Sequence, residues 1–241
     1  MKILIVTATY PEIKPLLSDI GYWGDGNFLI KNFTYQRSSL DILITGVGLM
    51  HTAYFMGKTL SNNNYDLALN FGIAGSFHRA ISIGEVVNVM EEQVADMGVE
   101  AREDFSDIVE LNLLNPRQFP YDSGKLRNKV PDSVHRLLNL KKVKGISVNK
   151  VSGNRLTIQK IIQKYHPDLE SMEGAAFLYA CLSERVPCLQ IRAVSNYVEH
   201  LNKEAWNIPF AIEQLHKTAG NIIHQLLTNN EINPGFFTLS Q

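Results

Sequence analysis

The chain has 241 residues, of which 45% are apolar and 20% are charged, a composition typical of globular proteins. Its formal net charge of −1 gives no electrostatic reason to expect nucleic-acid or anionic-membrane partners. The apolar runs fall short of the roughly 18 residues that a membrane helix needs, and the N-terminal run meets Pro11 and Glu12 too early for a secretory signal. We therefore expect a cytoplasmic protein with no membrane or nucleic-acid partner.

Short β-rich runs alternate with helical patterns along the chain. Several of the β-rich runs are continuously apolar, which is typical of strands buried on both faces. This pattern predicts an α/β fold with a mostly parallel sheet covered on both sides, in a single domain spanning residues 1–241. The predicted strands are 2–8, 40–46, 65–71, 84–90, 145–151 and 187–195, and the predicted helices are 12–19, 49–60, 157–165, 171–184 and an amphipathic one from Ile208 to Leu226.

Cysteine and histidine positions predict neither a disulfide framework nor a metal site. Cys181 and Cys188 form no CxxC pair, so we expect reduced thiols in the core. The seven histidines lack metal-ligand spacing. The chain has no GxSxG nucleophile elbow, no GxGxxG and no P-loop. We expect no metal and no cofactor.

Four strand ends carry glycine or polar residues, at the edge where parallel α/β sheets bind ligands. Each has a structural explanation when taken alone: an acidic residue at a helix start, two tight glycine turns, and an asparagine in a turn or cap. The segments are TATYPE (7–12), TGVGLMHTA (45–53), NFGIAGS (70–76) and RAVSNYVE (192–199).

A carboxylate, Glu173, lies near the start of the stretch ESMEGAAFLYACL (170–182). The stretch has no clean polar face, which predicts a helix buried on all sides. A buried carboxylate is costly unless it is neutralised or finds partners. Glu173 is therefore a candidate ligand-binding residue.

Together, the four strand ends and SMEGAAF resemble the purine nucleoside phosphorylase and nucleosidase superfamily over roughly residues 1–96 and 145–226. SMEGAAF is similar to a signature around a Met-Glu pair, and AVSN (193–196) to an Ala-Ile-Ser-Asp segment. ESMEGAAF and QIRAVSNYVE look most like the futalosine hydrolase family of the alternative menaquinone pathway. The resemblance implies a three-layer α/β sandwich around a mixed, partly barrelled central sheet, assembled as a homo-oligomer (dimer or tetramer).

The resemblance also implies roles for individual residues in cleaving a purine nucleoside. Glu12 would activate water, and Glu173 would accept hydrogen bonds from the ribose hydroxyls while favouring the positive charge that develops as the bond breaks. Arg155 and Arg192 are candidate partners for a carboxylate on the 5′ arm. Further candidate substrate contacts are Met172 at the ribose, Ala74 and Gly75 at the base or ribose, Leu156 beside the purine ring and Trp206 near the 5′ substituent.

Two departures from the superfamily pattern separate its branches. Ile73 cannot hydrogen-bond phosphate through its side chain and Asn70 brings no charge, which favours water over phosphate as the nucleophile. Asn196 replaces an Asp that adenine-preferring nucleosidases carry. Its amide can donate to a 6-keto oxygen while its carbonyl accepts from protonated N7, which favours a 6-oxopurine such as hypoxanthine.

Two alternatives remain open at this point. One is a nucleosidase for inosine-like or methylthioadenosine-type nucleosides. The other is a non-catalytic nucleoside-binding protein on the same scaffold, because a fold does not by itself establish activity.

Overall fold

The computed structural model describes residues 1–19, 21–22, 30–35, 38–102, 104–200, 202–229 and 232. Within this part of the chain, eleven strands, six α-helices and one short 3-10 helix (Lys203–Ala205) follow one another. The strands are β1 Lys2–Thr7, β2 Ile30–Tyr35, β3 Ser38–Ile44, β4 Leu67–Ser76, β5 Val86–Val94, β6 Gly98–Ala101, β7 Asp104–Asp107, β8 Leu126–Arg127, β9 Lys141–Ser147, β10 Leu169–Ser171 and β11 Cys188–Tyr197. The helices are α1 Tyr10–Asp19, α2 Leu49–Asn62, α3 Asp132–Leu138, α4 Arg155–Tyr165, α5 Gly174–Ser183 and α6 Ile208–Thr228.

The main sheet closes on itself over part of its width. Its order is β10-β9-β5-β11-β4-β1-β3-β2, and β10 pairs again with β4. The strands β4, β11, β5, β9 and β10 therefore form a five-stranded barrel, from which β1, β3 and β2 extend as an open wing. The expected partly barrelled, mixed sheet is confirmed. Antiparallel pairing of β2 with β3, β5 with β11 and β10 with β4 makes it more mixed than strand–helix alternation predicts.

Helices cover the two faces of the sheet. On one face, α1 and α6 pack together over a core that includes Ile5 of β1, Phe71 of β4 and Leu215 of α6. On the other face, α2 packs on α5 over a second core that includes Met56 and Phe177. Most of α5 is buried, because the helix is enclosed between α2 and the barrel.

Three predicted elements are wrong in detail. The helix expected from residue 171 begins at Gly174, because Leu169–Ser171 form the strand that closes the barrel. The segment 70–76, expected to be a turn, continues as strand to Ser76. The strand expected at 145–151 lies at Lys141–Ser147.

Other expectations concern the chain as a whole. Cys181 and Cys188 are buried, free thiols in the second core, as expected. Residues 98–135, which show no legible pattern, contain the β6–β7 hairpin, β8 and the start of α3. No helix of the described residues is long and apolar enough to cross a membrane. The single-domain organisation stays a prediction.

Candidate active site

Glu12 lies in the first turn of α1, just beyond the carboxyl end of β1. Its Oε2 accepts hydrogen bonds from Thr9 N (2.8 Å), Thr9 Oγ1 (2.8 Å) and Thr7 Oγ1 (3.1 Å). Its Oε1 accepts from the backbone N–H of Ile73 on β4 at 3.3 Å. These donors fix the carboxylate between β1 and β4, and Oε1 retains a lone pair for a further donor.

Glu173 is the residue that directly precedes α5, and its carboxylate points toward the start of α2. Its Oε1 accepts from the backbone N–H of Gly48 (3.0 Å), the residue that precedes α2. Gly46 and Gly48 have φ values of 85° and 100°, which favour glycine, so the predicted turn at 45–53 is present. Burial raises the pKa of Glu173, and the neighbouring Glu12 acts in the same direction, while Arg192 and the Gly48 N–H oppose this.

Arg192, on β11, points into the barrel and is only 1% exposed. Its guanidinium donates to the side-chain oxygen of Asn70, to the Asn70 carbonyl (3.4 Å) and to the Ile191 carbonyl (3.2 Å). Burial lowers the pKa of Arg192, and the carboxylates of Glu173, Glu92 and Glu12 oppose this shift. The positive charge of the guanidinium therefore partly compensates the negative charges of these carboxylates.

Gly72 on β4 lies between Arg192 and Glu12. A methyl group added at Gly72 would be 3.2 Å from Arg192 Nη1 and 3.3 Å from Glu12 Oε1. The absence of a side chain lets both groups approach the same side of β4. This close approach explains the glycine within a strand, where sequence reasoning predicts a turn.

Asn196 lies near the end of β11, opposite Gly75 and just after a register shift at Ser195. Its Oδ1 accepts from Ser195 Oγ (2.8 Å), and its Nδ2 donates to the Tyr197 carbonyl (3.1 Å). A methyl group at Gly75 would be 3.0 Å from Asn196 Nδ2, so the two residues face the same side of the sheet. The Asn196 amide retains a second N–H and an oxygen lone pair for a ligand.

The remaining predicted residues lie at different distances from this arrangement. Ala74 is next to Gly75 and its carbonyl contacts Ser195 Oγ (3.2 Å), while Met172 directly precedes Glu173 and is half-buried. Trp206 is half-buried, and the backbone N–H of the next residue, Asn207, donates to the Ser195 carbonyl (2.8 Å).

Arg155 and Leu156 both lie in the first turn of α4. Arg155 lines a surface cavity of about 280 Å³ together with Val198 and His200. Val198 also contacts the Gly75 position, so this cavity adjoins Asn196. Leu156 is 67% exposed, and its role beside the base stays a prediction.

Sequence reasoning missed Glu92, a third carboxylate near Arg192. Glu92 is 1% exposed on β5 and accepts from Gln190 Nε2 (2.6 Å) and Ser147 Oγ (2.9 Å). Burial and Glu173 raise the pKa of Glu92 to about 7, against the effects of Gln190, Arg192 and Ser147. A register shift after Val89 interrupts the strand alternation before Glu92, so the two-residue period of the sequence does not predict its inward orientation. No cluster of metal-ligating side chains occurs among the described residues.

Comparison with known proteins shows the family of this chain. The chain belongs to the phosphorylase superfamily, whose family model matches residues 2–228. The futalosine hydrolase of Thermus thermophilus is 30% identical over 184 residues, covering 75% of this chain and 80% of that protein. The 5′-methylthioadenosine/S-adenosylhomocysteine nucleosidase of Colwellia psychrerythraea is 24% identical over 244 residues, covering 95% of each chain.

A solved structure shares the fold. The structure of futalosine hydrolase from Helicobacter pylori superimposes with a TM-score of 0.77 at 17% identity, covering 94% of this chain and 98% of that chain. The family model thus confirms the expected membership of the superfamily, and the solved structure confirms the expected fold.

The raised pKa of Glu92 predicts a loss of stability as pH rises. The folded protein holds the Glu92 proton up to about pH 7, whereas the unfolded chain releases it near the ordinary glutamate pKa of 4.5. The contribution of Glu92 to the free energy of unfolding is thus present below pH 4.5 and is lost as pH rises through 7. Between pH 5 and 8, urea denaturation should show wild type losing roughly 2 to 3 kcal/mol relative to Glu92→Gln.

Glu91→Gln is the matched control, because Glu91 is paired with Lys125 and Arg127 on the other face of the same strand. Its stability should follow the wild-type pH dependence in this range. If the free energies of unfolding of wild type and Glu92→Gln changed in parallel with pH, Glu92 would not have the raised pKa assigned to it.

Proposed function

We propose that this protein hydrolyses the N-glycosidic bond of futalosine and releases hypoxanthine, with water activated by Glu12. The observation that carries the proposal is the position of Glu12 Oε1 beside Arg192 at Gly72, together with the Glu173 carboxylate held by the N–H of Gly48. The futalosine hydrolases among the relatives support the choice of substrate.

The reaction exchanges one C–N bond for one C–O bond. As the bond from C1′ to the purine breaks, its electron pair stays on the base and positive charge develops on the ribose. The oxygen of water bonds to C1′ and passes a proton to Glu12 Oε1, while the base takes a proton from solvent water at N7. Glu12 then releases its proton to solvent, which replaces the one that N7 took and restores the carboxylate. Glu173 accepts hydrogen bonds from the ribose hydroxyls and stabilises the developing charge.

Asn196 supplies the groups that a 6-oxopurine requires. Its carbonyl oxygen accepts one hydrogen bond from Ser195, which leaves a lone pair for the proton on N7. Its amide donates one N–H to Tyr197, which leaves a second N–H for the 6-keto oxygen. The exocyclic amine of adenine would instead face an N–H donor, leaving a polar group unpaired.

Water suits this site better than phosphate does. The backbone N–H groups of Ile73 and Gly48 already donate to the carboxylates of Glu12 and Glu173. An incoming phosphate would therefore meet two carboxylates at this edge instead of free donors. A neutral nucleophile that loses a proton to Glu12 avoids this repulsion.

Arg155 is our candidate partner for the carboxylate of the 5′ arm, since Arg192 is enclosed in the barrel. We also propose a cytoplasmic homo-oligomer. Exposed apolar side chains on α2, Met50 and Tyr54, give the protein a surface on which a second copy could pack.

A second candidate is the hydrolysis of 6-amino nucleosides. It is favoured by the relatives that are 5′-methylthioadenosine/S-adenosylhomocysteine nucleosidases and align over 95% of this chain. A non-catalytic nucleoside-binding protein is the third.

The direct test is base release in phosphate-free buffer from futalosine, inosine and methylthioadenosine in parallel. We expect hypoxanthine from futalosine, unaffected by added phosphate. Adenine release from methylthioadenosine alone would favour the second candidate, and turnover that requires phosphate would indicate a phosphorylase. Tight binding of futalosine without turnover would indicate the non-catalytic protein.

Replacing Glu12 by Gln should lower kcat by about 10²- to 10⁴-fold, because the amide cannot accept the proton from water. The change preserves the shape of the side chain. Glu213→Gln, on the exposed surface of α6, serves as the control and should retain wild-type activity. Equal activity of Glu12→Gln and wild type, each shown to be folded, would rule out this mechanism.

Replacing Asn196 by Asp should shift the ratio of kcat/KM for futalosine over methylthioadenosine toward the 6-amino substrate. A protonated Asp can donate to N7 while its other oxygen accepts from the amine. One mismatched hydrogen bond corresponds to roughly 1–3 kcal/mol, or about 5- to 150-fold in this ratio. An unchanged ratio would show that Asn196 does not read the base.

A further inference from the structure

Glu92 lies inside the barrel, and its surroundings are built to hold a carboxylate. Both of its oxygens accept hydrogen bonds, one from Gln190 and one from Ser147. A methyl group added at Gly145 would be 2.4 Å from Glu92 Oε1, and one added at Gly174 would be 2.1 Å from it. Neighbouring strands and the start of α5 therefore leave the space that this carboxylate occupies.

One hydroxyl joins Glu92 to the helix that begins after Glu173. Ser147 Oγ donates to Glu92 and accepts from the backbone N–H of Ala175 in the first turn of α5 (2.8 Å). The carboxylate also lies against Gly174, the first residue of α5. A negative charge at this end of a helix interacts favourably with the helix dipole and with unsatisfied N–H groups.

Charge provides a second link between Glu92 and the candidate site. The groups that face Glu92 are Arg192 and Gln190 from β11, Ser147 from β9 and Glu173 at the start of α5. On the opposite face of β5, Glu91 interacts with Lys125 and Arg127. The charge of Glu12, on α1, repels that of Glu173 and attracts that of Arg192.

We infer that Glu92 is a positioning residue for the proposed hydrolysis: it holds the first turn of α5, and through Arg192 it sets the charge around Glu173. The inference rests on the proposed function. In this scheme Glu92 makes no contact with substrate and acts through Ser147, Arg192 and Glu173.

Ionised Glu92 should favour the reaction. It holds Ser147, and with it the start of α5, and it adds negative charge behind a ribose that becomes positive in the transition state. Protonated Glu92 weakens both effects. Because its pKa is raised to about 7 by burial, kcat/KM for futalosine should rise with pH through the neutral range.

Three variants separate this role from a merely structural one, with kcat/KM measured from pH 5.5 to 8.5. Glu92→Gln should lower kcat/KM at pH 8 by about tenfold and remove the rise near pH 7. Ser147→Ala should keep the rise but move it to higher pH, because the Ser147 hydrogen bond lowers the pKa of Glu92. Glu91→Gln should match wild type in rate and profile.

Thermal unfolding of each variant is measured beside its activity. A folded Glu92→Gln with a wild-type rate and profile would overturn the inference, even if its stability were reduced. If Glu92→Gln fails to fold, Ser147→Ala decides: an unshifted profile overturns the inference, and a shift to higher pH supports it. An absence of hydrolysis by wild type would overturn the proposed function, and this inference with it. If wild type hydrolyses futalosine, the variants test the inference alone.

Discussion

A guanidinium buried inside the barrel is the charge around which this site is arranged. Arg192 is almost fully enclosed, and burying a charge is unfavourable unless opposite charges and hydrogen bonds compensate it. Asn70 satisfies part of the guanidinium, and the carboxylates of Glu12, Glu92 and Glu173 supply the opposite charge from three different elements. The positions of α1, β5 and α5 relative to β11 are thus tied to one side chain.

The two carboxylates proposed for catalysis are fixed by backbone donors before any ligand binds. Glu12 accepts from the N–H of Ile73 on β4, and Glu173 accepts from the N–H of Gly48 before α2. Backbone groups in regular structure move little, so these contacts hold each carboxylate without the entropy cost of ordering a flexible partner. Glu12 follows β1 and Glu173 follows β10, so each acid lies just beyond the carboxyl end of a strand of the main sheet.

The sequence was sufficient to predict the α/β class and the positions of most long elements, whereas the roles of Glu12, Glu173 and Asn196 stay proposals. It was insufficient for features that depend on tertiary pairing. The three-residue strand β10 is too short for any periodicity, yet it closes the barrel. The glycines Gly72 and Gly75 predict a turn when the local sequence alone is considered. In the fold they leave room for the side chains of Arg192 and Asn196, which come from a distant part of the chain. Glu92 was missed for the same reason, since its orientation follows a register shift.

The balance of charge also restricts the chemistry. Three carboxylates face one guanidinium, so with all four groups ionised the cluster is net negative. A negative cluster repels an anionic nucleophile such as phosphate and stabilises a ribose that acquires positive charge as its bond to the base breaks. Burial is the main reason that the pKa values of Glu92 and Glu173 are both raised, and a neighbouring carboxylate adds to the shift in each case. The cluster that favours a cationic transition state and a neutral nucleophile therefore contains a carboxylate, Glu92, whose pKa of about 7 makes its ionisation sensitive to pH near neutrality.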